Sequence, residues 1–321
     1  MNKSASVFLI VASFLMVTGI IIFIAVMSYY KWDFSKLSTV KYQTESYELS
    51  ESFTDISINT ETTDIYFIKS TDGKNRVECY EHQKEKHSVE VINGVLTIGV
   101  TDEREWYDYI AINFNVAKVK IYLNSDEYQS LNINEDTGKV EVNSGFVFTN
   151  VNIETSTGDI NFYASVTKSA KLKVTTGDID VSNASFNDLN LSVSTGDIEV
   201  SNSNCYGNLY VGVSTGDCEL NSVTCKNLTS IGTTGDIDLK SVIASENFNI
   251  ERSTGDVSFS RSDANQIFIE TSTGDVEGTL LRGKNFVAQS STGRIKVPTN
   301  STGGRCQIKT NTGDIKIYLV N

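Results

Sequence analysis

A Thr-Gly pair recurs along the second part of this chain, with glycine at positions 138, 158, 177, 196, 216, 235, 255, 274, 293 and 313, in steps of 19 or 20 residues. Seven residues before each glycine stands an apolar side chain, from Leu131 and Val151 through to Phe286 and Cys306. Five before it, only Ser230 breaks the apolar pattern. Two after it, Val140, Ile160 and their counterparts as far as Ile315 are apolar throughout. Alternation by two on both sides means two short strands per repeat, each with one face buried. The inward positions are odd-numbered before the glycine and even-numbered after it, so a corner must lie between them. Gly158, Gly177, Gly196, Gly216, Gly235, Gly255 and Gly274 are the expected corner residues, each supplying the positive φ or the close approach that a corner needs. The preceding threonine is expected to turn its methyl inward while its hydroxyl bonds local backbone.

A unit of this length cannot bury its own apolar face, so neighbouring units must stack and close one continuous core. The fold class is therefore all-β. The chain reads as a single-stranded, parallel β-helix-like β-solenoid of 19–20-residue repeats over 126–321, with each rung pairing in register with the next at about 4.8 Å. The single proline against 22 glycines suits short strands joined by polar turns. Residues 42–125 read as a diverged N-terminal cap and first rungs. Ile58-Asn59-Thr60-Glu61-Thr62-Thr63-Asp64-Ile65 is a degenerate copy of Ile153 to Ile160, without the glycine. Strand-like runs follow at Val77–Tyr80, Val89–Ile92, Val95–Val100, Ile110–Phe114 and Val119–Leu123, with Asn93-Gly94 as a hairpin turn.

Ahead of this region, Ser4 to Tyr30 carries no charge, and Val7 to Ser28 is long enough at helical rise to cross a bilayer core of about 30 Å. The expected division is a short cytoplasmic tail at 1–6, a transmembrane helix at 7–30 in contact with the lipid bilayer, and a linker at 31–41. A cleavable signal peptide is the rival reading, although its apolar region is usually shorter and ends in small residues. Charge bias does not fix the orientation, because Lys3 on one side faces Lys31 and Lys36 on the other. A short tail before one long polar domain fits a single-pass cell-membrane protein with its repeats outside the cytoplasm. Tyr29, Tyr30 and Trp32 then form an aromatic belt at the outer interface. The net charge is −13, and the first 31 residues carry two lysines and no acid, which leaves −15 on the remainder. Such a surface repels nucleic acid.

Repeated Ser-Thr-Gly-Asp-Ile turns, a leading Asp-Ile strand, the Trp106-Tyr107 loop and a short N-terminal membrane helix together resemble the bacterial domain-of-unknown-function family labelled "putative adhesin", which includes LiaG-type envelope proteins. The resemblance spans roughly 45–321. It implies a noncatalytic surface protein that binds wall or protein partners, or an accessory scaffold in envelope stress.

The residue after the glycine is aspartate in eight repeats, at Asp159, Asp178, Asp197, Asp217, Asp236, Asp256, Asp275 and Asp314. Stacking places these carboxylates in a column. The preferred reading is that each accepts hydrogen bonds from its own turn, with no metal and no cofactor; the alternative is a cation ladder, with calcium or magnesium bridging adjacent rungs. Lys139 and Arg294 interrupt the column, and Arg294 is expected between Asp275 and Asp314. Cys79, His82 and His87, with Glu81 and Glu85, are the one grouping of metal-ligand types, but Cys79 and His82 point to opposite faces of a strand. That segment is expected to be a solvated polar turn. Cys205 and Cys225, each nine residues after a glycine, should stack as two buried thiols, with a strained disulfide as the alternative. The run Glu103 to Tyr109 interleaves aromatics and charges and is expected to pack and close the cap. No nucleophile with a base and an orienting group is visible. A polysaccharide lyase or hydrolase on a β-helix remains the runner-up to the noncatalytic reading, but its groove would need converging acids and bases, whereas Arg252, Arg261, Arg282 and Arg294 are spread over several rungs.

Overall fold

In the computed structural model, which describes residues 3–37, 40–106, 108, 113, 115–299 and 302–320, the alternation on either side of each glycine becomes two strand segments. In the Gly158 rung these are Val147–Thr157 and Ile160–Phe162. Phe148, Val151, Ile153, Ile160 and Phe162 turn inward and are buried. Val151 pairs in parallel with Leu131 on one side and Ala170 on the other, while Ile160 pairs with Val140 and Ile179. Each inward position thus sits on its own kind in the adjacent rungs. Every buried branched side chain contributes about 1.5–3 kcal/mol of gross stabilisation, and stacking is what buries it.

The one-residue difference between repeats is absorbed mostly at one place, with a separate shift between Phe259 and Ser262. Register shifts fall between Val166 and Ser169, between Cys205 and Asn208, and opposite them at Asn187 and Lys226. One or two residues bulge outward there, so the inward columns before and after the bulge stay aligned.

Rung order departs from chain order at both ends. At the N-terminal end, Asp55–Lys69 is the first rung of the continuous stack, and it pairs with Glu127–Thr137 and Val140–Val142 on one side. Its other side is met in parallel by Val95–Asp102 and Ala117–Leu123, which together form an outer rung. Glu85–Ile92 pairs antiparallel with the first of these, Asn75–His82 with the second, and Tyr42–Leu49 with Asn75–His82. The outermost strands carry Glu45, Glu48, Glu85, Lys86 and Glu90, charges that discourage another chain from adding to the edge. The run Ile110–Phe114 falls largely outside the described residues.

At the C-terminal end, Arg305–Thr312 lies between Gln266–Thr273 and Asn285–Thr292. The last repeat in sequence is therefore inserted one place in, and Asp314 lies between Asp275 and Arg294. This corrects the order expected from the sequence. Cys306, Ile308, Ile315 and Ile317 are fully buried in the inserted rung, whereas in the displaced terminal rung the inward Ile295 is about 45% exposed and Phe286 and Ala288 are only half-buried. The more apolar rung takes the interior place because there it is covered on both sides.

The threonines before the corner glycines are exposed in all ten repeats, with no methyl turned inward. The chain has already turned at the residue before, so Ser156 and Thr157 both face outward. Their backbone carbonyls accept instead, as where Gly138 N–H donates to Thr157 O at 2.9 Å.

The N-terminal element is a single helix, Lys3–Tyr29. Over Val7–Tyr29 its mean hydropathy is 2.9, and Phe8, Phe14 and Ile21 are exposed. It ends where Trp32 N–H bonds Met27 O at 2.8 Å and where Lys31 and Trp32 take positive φ.

Candidate functional site

The corner column is the most regular feature of the surface. Its ten glycines have φ between +120° and +157°. A Cβ at any of them would lie within 1.9–2.3 Å of a backbone oxygen in the rung beside it. Along the run Gly158, Gly177, Gly196, Gly216, Gly235, Gly255 and Gly274, that oxygen belongs each time to the corner glycine one rung back, from Gly138 to Gly255. Positive φ and close approach, alternatives on the sequence, hold together at these seven positions, and both call for glycine.

The aspartates do not cap their own turns. Asp159 Oδ1 accepts from the Asp178 N–H at 3.0 Å, Asp178 from Asp197 at 2.7 Å, Asp197 from Asp217 at 2.7 Å, and Asp217 from Asp236 at 2.8 Å. Asp236, Asp256 and Asp275 continue the series to Asp256, Asp275 and Asp314. The sequence reading of an own-turn bond is corrected to a bond between rungs. At the corner the N–H points toward the neighbouring rung, where a side-chain oxygen takes the place of the backbone acceptor of a regular ladder. Arg294 closes the column, its N–H and guanidinium both bonding Asp314, whose carboxyl is held far below the usual range first by that backbone N–H.

A third inward column, three residues before each glycine, did not stand out in the sequence because much of it is polar. It holds Glu135, Thr155, Arg252, Thr271 and Thr310, all buried. Arg252 occupies room left where Gly232 has no side chain, and its Nη2 donates to Ser230 Oγ at 2.9 Å. The irregular residues Ser230, Gly232 and Arg252 thus explain one another. Asp263, buried at the rung edge, meets Arg282 at 2.9 Å and Lys284 at 2.6 Å.

The densest buried polar group lies in the cap. Alternation along Asn75–His82 turns Val77, Cys79 and Glu81 to one face, and the turn at Gln83-Lys84 folds Glu85–Ile92 back so that His87 returns over Glu81. The His87 backbone N–H donates to Glu81 Oε2 at 2.7 Å, and His87 Nδ1 lies 2.9 Å from the same oxygen. His87 Nε2 is 3.1 Å from Thr63 Oγ1. Thr63 stands where other repeats have the corner glycine, and its N–H donates to Glu135 Oε1 at 2.9 Å, while the Thr60 hydroxyl bonds Oε2 of the same carboxyl. Cys79, Glu81, His87, Thr60, Thr63 and Glu135 are all buried. Burial lowers the His87 pKa, pushes the Cys79 thiol up to about 12, and raises Glu135 to about 8. The expectation of a solvated turn is corrected: Gln83 and Lys86 face water, His82 and Glu85 are half-buried, and Cys79, Glu81 and His87 are buried. The signal was present in the sequence as two coincident departures, a threonine in the glycine slot and a glutamate in an inward slot.

Cys205 and Cys225 are register partners. Both are buried free thiols, pushed up to about 11 and about 12 by burial, and Cys205 Sγ donates to Asn187 O and Asn208 O. In the 103–109 run, Arg104 pairs with Asp102 and Glu85 and Lys84 pairs with Asp108, but Trp106 is 74% exposed. The packed arrangement expected for this run is thus corrected at Trp106, because the ion pairs hold the loop while leaving the indole outside. Tyr107 and Tyr109 lie outside the described residues.

The family described as Toastrack DUF4097 matches residues 53–209 and again 203–321. Among solved structures, a "putative adhesin" from Parabacteroides distasonis is 13% identical over 87% of this chain and 98% of its own, with a TM-score of 0.50. A "putative adhesin" from Bacteroides fragilis is 16% identical over 87% of this chain and 97% of its own, at 0.43. A "putative lipid binding protein" from Parabacteroides distasonis is 17% identical over 74% and 94%, at 0.48. No curated protein matches the chain.

Proposed function

Because this chain belongs to the Toastrack DUF4097 family, we propose that it is a noncatalytic envelope protein, held by its N-terminal helix, whose solenoid stands outside the cytoplasm and binds cell-wall material or a wall-associated partner. The observation that carries this reading is the helix itself. Apart from the buried Met27, the large apolar side chains along Val7–Tyr29 are exposed, and a hydrocarbon phase removes that cost.

The noncatalytic part rests on how the ionisable residues are used. The ladder aspartates bond the next rung, Arg252 fills a core gap, Arg282 and Lys284 pair with Asp263, and Arg294 ends the column. Each of these side chains is absorbed locally, and among the described residues none of them converges with another on a groove of acids and bases. The name adhesin borne by solved structures of this fold agrees with a binding role. An accessory role in envelope stress, as in LiaG-type proteins, is the finer form of the proposal.

The test is sedimentation of the detergent-solubilised full chain with purified bacterial cell walls, together with incubation on a panel of wall and plant polysaccharides. Cosedimentation without cleavage is expected. Turnover abolished by one acidic or basic substitution in a folded variant would replace this reading with the polysaccharide-degrading one.

A further inference from the structure

The cap cluster contains more ligand chemistry than a structural hydrogen-bond network uses. Ligand atoms of Cys79, Glu81 and His87 all lie within 4.8 Å of one another, on side chains that are 0–3% exposed. Glu81 Oε2 is engaged by His87, while Glu81 Oε1 is buried without a hydrogen-bond partner among the described residues. A carboxylate fully removed from water with an idle oxygen is costly unless a cation or donor takes it up. We propose that Cys79, Glu81 and His87 form a zinc site that clamps the Asn75–His82 and Glu85–Ile92 strands together at the first rungs of the solenoid.

The choice of ion follows from the donors. A thiolate and an imidazole are soft to borderline ligands that suit zinc, whereas calcium and magnesium take oxygen. Charge agrees as well. A divalent ion with one thiolate and one carboxylate is neutral overall, the one balance in which all three can share a dry interior. Zinc binding displaces the Cys79 thiol proton to solvent, and His87 enters as a neutral ring. The outer contacts are in place. Thr63 Oγ1 holds Nε2 at 3.1 Å and orients the ring so that Nδ1, the nitrogen beside Glu81, can face the ion; Glu135 in turn fixes Thr63 through its N–H. Three protein ligands leave a fourth position on the ion. This site is separate from the wall-binding reading, and either can stand without the other.

The experiment uses the full chain in detergent, stripped with a chelator and titrated with zinc alone and then with cobalt alone. Binding of about one zinc per chain is expected, with a thiolate-to-cobalt charge-transfer absorption. Cys79→Ser should abolish that absorption, Thr63→Val should weaken zinc binding about 10- to 100-fold, and Cys205→Ser should change neither. Absence of the absorption in the parent, or its persistence in Cys79→Ser, overturns the proposal. Should Cys79→Ser not fold, X-ray absorption of the zinc-loaded parent decides. One sulfur among nitrogen and oxygen neighbours supports the site, and any other sulfur count overturns it.

Discussion

Replacing Gly216 with alanine separates two demands that the corner makes. Its φ is +135°, and an added Cβ would lie 2.0 Å from Gly196 O, where ordinary contact begins near 3.4 Å. Gly145 has φ of +92° with nothing within 4 Å of its would-be Cβ. Alanine at 145 meets only the backbone penalty, about 1–2 kcal/mol. At 216 the backbone oxygen cannot rotate away, so the two rungs must part by more than an ångström. That parting breaks Gly196 N–H to Thr215 O (3.0 Å), Ile198 N–H to Asp217 O (3.0 Å) and Asp217 N–H to Asp197 Oδ1 (2.7 Å). At roughly 0.5–1.5 kcal/mol each, these add to the φ penalty for a total of about 3–6 kcal/mol. Urea unfolding of the full chain in detergent, followed by the β-sheet circular dichroism signal, reads the difference, and amide exchange locates it in the rungs of Gly196 and Gly216. Equal destabilisation by Gly145→Ala and Gly216→Ala would refute the stacking argument.

Asp217→Ala should cost about 1–2 kcal/mol by leaving the Asp236 N–H without its acceptor, while Asp217→Asn, which keeps an oxygen there, should cost less than about 1; equal losses in denaturation would count against the ladder. If the column binds calcium, a calcium-dependent rise in melting temperature should shrink in Asp217→Asn. Burial holds the Glu135 pKa near 8 against 4.5, so between those values the folded chain keeps a proton that the unfolded chain has released, and stability present below about pH 4.5 is lost as pH rises toward 8. Glu135→Gln should therefore flatten the stability profile over that window by up to about 1.4 kcal/mol per pH unit, and an unchanged slope would contradict the burial argument. Removing residues 305–321 should expose Asn285–Thr292 to protease, because among the described residues that strand pairs only with Arg305–Thr312 in the ladder; continued protection would mean that rungs stack in chain order.

The repeat was legible because stacking makes one position answer to one environment many times over. Leu172 and Leu191 are inward for the same reason, and ten copies average out any one exception. What remained hidden was whatever depends on a partner distant in sequence. The place of the last rung turns on whether Ile315 or Ile295 gains more from being covered, a comparison invisible in a spacing pattern. The bond from each aspartate to the next rung cannot be told from an own-turn bond until the rungs are side by side. The cap cluster was missed for a similar reason. Strand parity separates Cys79 from His82 correctly, but only the hairpin brings His87 to Glu81, and only the second rung brings Glu135 beneath Thr63.

The central claim is that one helix retains the chain in the membrane with its solenoid outside. Protease added to intact, wall-stripped cells, followed by immunoblotting for both ends of the chain, tests it most directly. Retention is expected, with the repeats digested from outside and the N-terminal segment left in the membrane fraction. Repeats that stay intact until the cells are lysed, or that are found in the medium with a new N-terminus beyond the helix, would contradict it.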